Sequence, residues 1–360
     1  MTFLYVILAI LVLEFLIFIH ELGHYTAGKL LGFRILGFSL GFGPALFKFK
    51  KGETEYALRA IPFGGACQFD GEDAEAEDDP RRFNANPVWK RFLVILAGPF
   101  TNILMALIIA FVMYVAVPMP VLAVDPVTGN NLAYISEVVV NSAADRAGIK
   151  SGDVLAAIDG AAPAPQNGES ILDAFVAAIG KAGNDFTITV ERDGTMLDLP
   201  VTGAYNEIYK KTMLGVSIGA VVERYEHLNV GTAFTSACSY LVQIVKATGQ
   251  GIAKMFREGI SQGDVSGVVG TVSIMVDVAR ESMLNIITIA VILSLSLGLF
   301  NLIPFPALDG GRLLFLIIEA IIGRPLNRKV EAIVNGIGLV LLFGLMIIVT
   351  ANDIIGLFGK

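Results

Sequence analysis

Four long apolar runs punctuate the chain, at residues 3–19, 92–117, 284–308 and 333–352, and together they hold one charged side chain, Glu14. Each is close to the ~20 apolar residues that cross a ~30 Å hydrocarbon core, so the pattern predicts four membrane-spanning helices. The first run lacks the basic start and small-residue end of a secretory signal peptide and reads as a retained helix. Between runs the period changes. After the Gly-rich stretch Gly37 to Pro44, Phe47 and Phe49, then Tyr56, Leu58 and Ala60, alternate with polar residues around Lys51-Gly52. Period two about a glycine turn predicts a β-hairpin over 46–61. It is apolar enough to dip into the membrane, which requires protein or water to satisfy its backbone.

Residues 127–205 have ordinary polarity, with short alternating runs at Tyr134 to Val140 and Asp185 to Arg192 and a helical stretch from Ser170 to Ile179. They predict a small α+β domain. The segment Ser142 to Gly160, with Gly148, Gly152 and Asp159-Gly160 at turn positions, resembles the signature of bacterial PDZ domains. That resemblance implies a groove in which a guest strand pairs with a sheet edge. It assigns the carboxylate-binding loop to Leu214-Gly215-Val216. Thr232 to Phe256 is apolar with scattered Lys246 and Lys254 and reads as a surface-lying amphipathic helix. The predicted fold class is a multi-span α-helical membrane protein with a membrane-associated hairpin and one extracytoplasmic PDZ domain. Its parts are 1–117 (two spans and the hairpin), 118–222 (PDZ, core 127–205), 223–282 (helical linker) and 283–360 (two spans).

Charge orients this arrangement. Lys29, Arg34, Lys90, Arg91, Arg312, Arg324, Arg328 and Lys329 flank one set of span ends, whereas 118–145 contains neither Lys nor Arg. The basic side is cytoplasmic. The ends of spans one and three therefore lie in the same cytoplasmic half of the bilayer. The pairs Arg81-Arg82 and Lys90-Arg91 read as anchors for span two at the lipid surface, and the acidic run Asp70 to Asp79 as a solvated loop. Of 360 residues, 54% are hydrophobic and 16% charged, with a net charge of −7, which leaves no basic face for nucleic acid. Cys67 and Cys238 fall on opposite sides of the membrane, so neither a disulfide nor a thiolate metal site is expected.

The candidate chemistry sits at the end of span one, in His20-Glu21-Leu22-Gly23-His24. Residues 20 and 24 lie about 40° apart on one helix face, so two imidazoles can ligate one Zn²⁺ while Glu21 acts on its water. Two of the chain's three histidines stand in this arrangement, in a membrane helix where ionisable groups are costly. A catalytic zinc needs a third ligand. Asp309 is at matching depth, in a segment where Pro304, Pro306, Gly310 and Gly311 break the helix and let an acidic side chain turn inward. Glu14, two turns before Glu21, reads as a buried, protonated side chain, with a proton path to the site as the alternative.

The motifs together resemble the site-2 protease family of intramembrane zinc metalloproteases, in the regulator of sigma-E protease branch. They are His20-Glu21-x-x-His24, Gly41-Phe42-Gly43-Pro44, Ala97-Gly98-Pro99-Phe100-Thr101-Asn102, the PDZ segment, Ser266-Gly267-Val268-Val269-Gly270 and Asn301 through Gly311. Two departures are a single PDZ domain where the best-known relatives carry two, and Val268 where proline is frequent. The resemblance implies His20, His24 and Asp309 as zinc ligands and Glu21 as acid/base. It implies that Asn102 and Asn301 hold an unwound substrate, and that the protein sits in the bacterial inner membrane among membrane lipid. The implied substrate is a single-span membrane protein, such as an anti-sigma factor or a signal-peptide-like segment, with a C-terminal peptide as PDZ ligand. An exposed edge of the 46–61 hairpin is a candidate strand for pairing with it. A catalytically idle PDZ scaffold would need no Glu21, and a transporter is disfavoured by the lack of an inverted repeat.

Overall fold

In the computed structural model, residues 2–72, 79–124, 131–165, 170–206, 211–259 and 267–358 are described. The chain forms two units, residues 117–228 and the remainder. The larger contains helices α1 (Thr2–Leu30) and α2 (Val88–Ala116), strands β1 (Ile35–Lys51) and β2 (Thr54–Phe69), and helices α5 (Val230–Glu258), α6 (Val268–Glu281), α7 (Met283–Asn301), α8 (Asp309–Ile322) and α9 (Arg328–Phe358). The smaller contains β3 (Met119–Leu122), β4 (Ala133–Val138), α3 (Ala143–Arg146), β5 (Val154–Ile158), α4 (Ile171–Lys181), β6 (Asp185–Arg192), β7 (Thr195–Thr202), β8 (Ala204–Asn206), β9 (Lys211–Met213), β10 (Val216–Ala220) and β11 (Val222–Glu226).

Four helices are long and apolar enough to cross a membrane: Phe3–Leu30, Val88–Ala116, Leu284–Asn301 and Arg328–Ala351. The third is shorter than the apolar run suggests. Pro304 and Pro306 supply no backbone N–H, so α7 stops at Asn301, and after a seven-residue turn α8 begins at Asp309. The stretch 223–282, read from sequence as a linker, includes two helices of this unit. Ala237, Leu241 and Ile244 of α5 are buried with Ala106 and Ala110 of α2 and Val291 and Leu295 of α7. Small residues at that seam let the helices approach closely, as in membrane packing.

The hairpin is larger than its alternation predicts and curls on itself. Ile35–Leu40 pairs with Gly65–Phe69, the same residues run beside Glu55–Leu58, and Phe42–Lys51 pairs with Thr54–Ile61. The outer edges of this sheet are thus 65–69 and 42–51. Phe42, Leu46, Phe47 and Phe49 are exposed along the second. At its other end Phe33, Ile35 and Phe69 join Val94 and Ile95 of α2 and Leu313 and Leu316 of α8 in a common core.

The smaller unit is an antiparallel sheet in the order β10-β4-β5-β6-β7. Its core of Ile135, Leu155, Ile158, Phe175, Ile188, Val190 and Leu214 extends past the predicted limit at 205, because β10 adds an edge strand. Ser170 and Asp173 form a capping box on α4. Asp159-Gly160 makes the expected tight turn, both residues at positive φ. Buried Asp153 accepts from both Arg192 guanidinium nitrogens and from the Lys150 N–H, and these partners outweigh its burial and hold its carboxyl below the usual range.

Candidate metal centre

The last turns of α1 carry His20 and His24 on one face, and their Nε2 atoms lie 3.2 Å apart. Asp309, the first residue of α8, brings Oδ2 to 3.0 Å from the first and 3.4 Å from the second. Within reach of one point stand two imidazole nitrogens and a carboxylate oxygen. Oδ2 is buried and receives no well-aligned hydrogen bond. A divalent cation satisfies such an oxygen, and a His, His, Asp donor set suits zinc, with one position left open. The residues present fit that ion.

Neighbouring groups fix each ligand. The His24 Nδ1–H donates to the Val94 carbonyl at 2.9 Å, which leaves Nε2 with its lone pair free. Gly98 makes room for this ring: a Cβ there would lie 2.2 Å from His24 Nε2. Thr101 Oγ1 donates to the Ile19 carbonyl at 3.0 Å and so ties α2 to α1 beside His20. Asp309 is held from the far side. In the turn before it, Ala307 takes a φ of 73°, costly for a residue with a Cβ, and its N–H donates to Asn335 Oδ1 of α9 at 3.3 Å.

A cavity of about 790 Å³ opens onto the centre, lined by His20, Glu21, His24, Gln68, Asn301 and Arg312 among others. The Glu21 carboxylate faces the Cys67 N–H on the outer edge of the sheet. Gly65 is needed beside it, since a Cβ there would meet Glu21 Cγ at 2.7 Å. Burial pushes the Cys67 thiol up, and Glu21 pushes it further, and its sulfur is not among the converging donors.

The six site residues expected from sequence divide accordingly. His20, His24 and Asp309 converge, Glu21 faces the cavity beside them, and Asn301 lines it while donating to the Leu297 carbonyl at 2.9 Å. Asn102 has no exposed surface and lies against His20. Arg91 is no lipid anchor: 3% exposed, it pairs with buried Glu319 of α8. Arg81 and Arg82 pair with Glu53 and Asp70 of the hairpin and its following loop. Asp70 and Asp79 pair with Arg34, while residues 73–78 of the acidic run lie outside the described residues. Glu14 keeps a buried Oε1 without a hydrogen-bond partner among the described residues. Sequence reasoning missed Asn335 and Glu319; their signals were an amide inside an apolar span and a carboxylate inside an apolar helix.

The profile of Peptidase family M50 matches residues 8–345. A protein of Agrobacterium fabrum bearing a zinc metalloprotease name is 34% identical over 99% of this chain and 97% of its own. One of Clostridium perfringens with a name of the same kind is 34% identical over 98% of each. The regulator of sigma-W protease RasP of Bacillus subtilis is 29% identical over 98% of this chain and 99% of its own length. Because the match takes in α1 and α8 alike, and with them every donor of the metal centre, the chain belongs to peptidase family M50 and is a zinc metalloprotease.

Proposed function

We propose that this metalloprotease is an intramembrane endopeptidase that cuts the spanning segments of single-span proteins, anti-sigma factors or signal-peptide-like remnants, in regulated intramembrane proteolysis. The observation that carries this reading is the cluster itself: His20 and His24 stand on α1, a helix long and apolar enough to span a bilayer, and Asp309 meets them from the start of α8, just beyond the end of the third such helix. The basic residues around those helix ends support a site toward the cytoplasm, in the inner membrane, with residues 118–222 on the outer side.

In the proposed centre His20, His24 and Asp309 hold zinc, which when bound polarises a peptide carbonyl and lowers the pKa of water toward ~7. Glu21 takes the proton of the attacking water and then gives it to the leaving amine. The Cys67 N–H aims the carboxylate in the meantime. A membrane helix hides its carbonyls in its own hydrogen bonds, so the substrate must be drawn out into an extended form. The sheet edge beside Glu21, residues 65–69, is placed to pair with it; the 46–61 edge expected from sequence lies on the other side of the sheet. Asn301, on the cavity wall, is the polar group assigned to the unwound stretch. Exposed Phe42, Leu46, Phe47 and Phe49 would seat the hairpin in lipid.

Residues 118–222 are read as a PDZ domain whose groove runs between edge strand β10 and helix α4, with Leu214-Gly215-Val216 at its end for a substrate's C-terminal carboxylate. The placement of β10 at the sheet edge supports this reading.

The test is direct: the purified chain in detergent should carry one zinc and cut a model single-span substrate within its spanning segment. A chelator should stop cleavage and added zinc restore it; cleavage by zinc-free protein would sink the proposal. The edge assignment has its own check. A photocrosslinking residue at Gln68, exposed beside the centre, should capture substrate, whereas one at Phe49 should not. The reverse pattern would return the role to the 46–61 edge.

A further inference from the structure

We propose that Asn102 is a positioning residue, the group that sets the tautomer of His20 for metal binding, and not one that holds substrate. The inference rests on the zinc reading of the centre. Asn102 is wholly buried in α2, away from the cavity, and its Nδ2 lies 3.2 Å from His20 Nδ1. Its place is fixed from two sides. Ser294 of α7, also wholly buried, donates its Oγ–H to the Asn102 carbonyl at 2.8 Å. The preceding Thr101 donates to Ile19, next to His20.

The two histidines are held by unlike partners. His24 faces a backbone carbonyl, which can only accept, so its Nδ1 always carries the proton and Nε2 always presents a lone pair. His20 faces a carboxamide, which can present either a donor or an acceptor. In the orientation seen, Nδ2–H donates to His20 Nδ1 and the proton sits on Nε2, 3.0 Å from Asp309 Oδ2. The Asn102 Oδ1 is then buried with no partner. In that orientation the Nε2–H and the carboxylate oxygen are close but poorly aligned.

Ligation through Nε2 requires the other tautomer, with the proton on Nδ1 and an acceptor facing it. A half-turn of the Asn102 amide about χ2 supplies that acceptor without changing the shape of the side chain, and it gives the orphaned Oδ1 a donor. Asn102 itself has no exposed surface, so its amide is not turned toward bulk water. One side chain thus serves both states. Aspartate can serve only the metal-bound one, since it accepts and does not donate, and leucine serves neither.

The experiment uses the full chain in detergent with Glu21→Gln as background, so that no result depends on proteolysis. Zinc affinity is read by competition with a chromophoric chelator, and ligand geometry by the visible spectrum of the Co²⁺ form. Asn102→Leu should weaken zinc by about 10–100-fold, the usual effect of losing such an outer partner, and should alter the cobalt bands. Asn102→Asp should bind zinc as tightly as the parent or more so, and rescue by that variant separates orientation from packing. If Asn102→Leu does not fold, Asn102→Ala removes the amide without bulk and is read the same way. Parental zinc affinity in the leucine or alanine variant, or an aspartate variant as weak as they are, overturns the inference. His20→Ala serves as the control: if it too keeps its zinc, the metal site itself has been misassigned.

Discussion

Glu21→Gln should lower the rate of cleavage by about 10²–10⁴-fold, the range of a lost general acid–base group, and leave zinc in place. The reasoning is geometric. Glu21 is not among the three converging donors, so the cluster of His20, His24 and Asp309 does not need it. Its carboxylate faces the Cys67 N–H, and a glutamine oxygen of the same shape can face it equally, so the side chain should keep its place. What glutamine cannot do is take a proton from water at neutral pH and return it to the leaving amine. Single-turnover cleavage of a spanning-segment substrate, together with zinc per chain, checks both halves. Cleavage at the parental rate would falsify the assignment. Loss of zinc with loss of activity would make Glu21 a ligand instead.

Legibility in the sequence followed the kind of signal each feature leaves. His20, Glu21 and His24 were readable because their spacing is itself the helix geometry. Asp309 was readable because prolines and glycines around it announce a broken helix in an otherwise uncharged run. The positions of the other three spans were plain from apolarity, but the third was over-extended: Ile303, Phe305 and Leu308 are apolar yet lie in a turn. The hairpin was recognised by period two only over its exposed half. Its inner half, Ile35–Leu40, runs into the Gly-rich stretch Gly37 to Pro44, whose glycines obscure a strand that is paired on both edges. Asn102 was found, but resemblance gave it a substrate role that its burial does not favour. No local pattern reveals that an amide 82 residues away in sequence lies under an imidazole. Arg91 misled for the opposite reason. A basic residue at a span end usually faces the interface, and only the fold shows that Glu319, 228 residues away, meets it in the interior.

That buried pair is where the largest effect on stability is expected. Arg91 Nη1 lies 3.2 Å from Glu319 Oε2, its other terminal nitrogen also contacts the carboxylate, and its Nε donates to the Asn86 carbonyl at 3.0 Å. Arg91→Met leaves a carboxylate in a site 5% exposed, and breaking such a pair costs about 3–5 kcal/mol. The lower end applies, because Arg328 still stands 3.4 Å from Glu319. The double variant Arg91→Met, Glu319→Leu removes both charges and should recover most of that loss, since well-packed apolar pairs replace buried ion pairs at little cost. Arg328 keeps Glu331 at 2.7 Å, so it is not stranded. The effect should also reach the metal. Glu319 lies ten residues after Asp309, about 15 Å along α8 at 1.5 Å per residue, so the helix is tied to α2 at one end and presents its zinc donor at the other. With the tie cut, α8 keeps its apolar packing on α2 and the turn with Asn335 but loses its polar link, and zinc affinity should fall in the single variant. Thermal unfolding in detergent and chelator competition on parent, single and double variants measure the two effects together. A single variant as stable as the parent, with unchanged zinc affinity, would mean that Arg328 alone suffices to neutralise Glu319 and that the α2 tie has no part in placing Asp309.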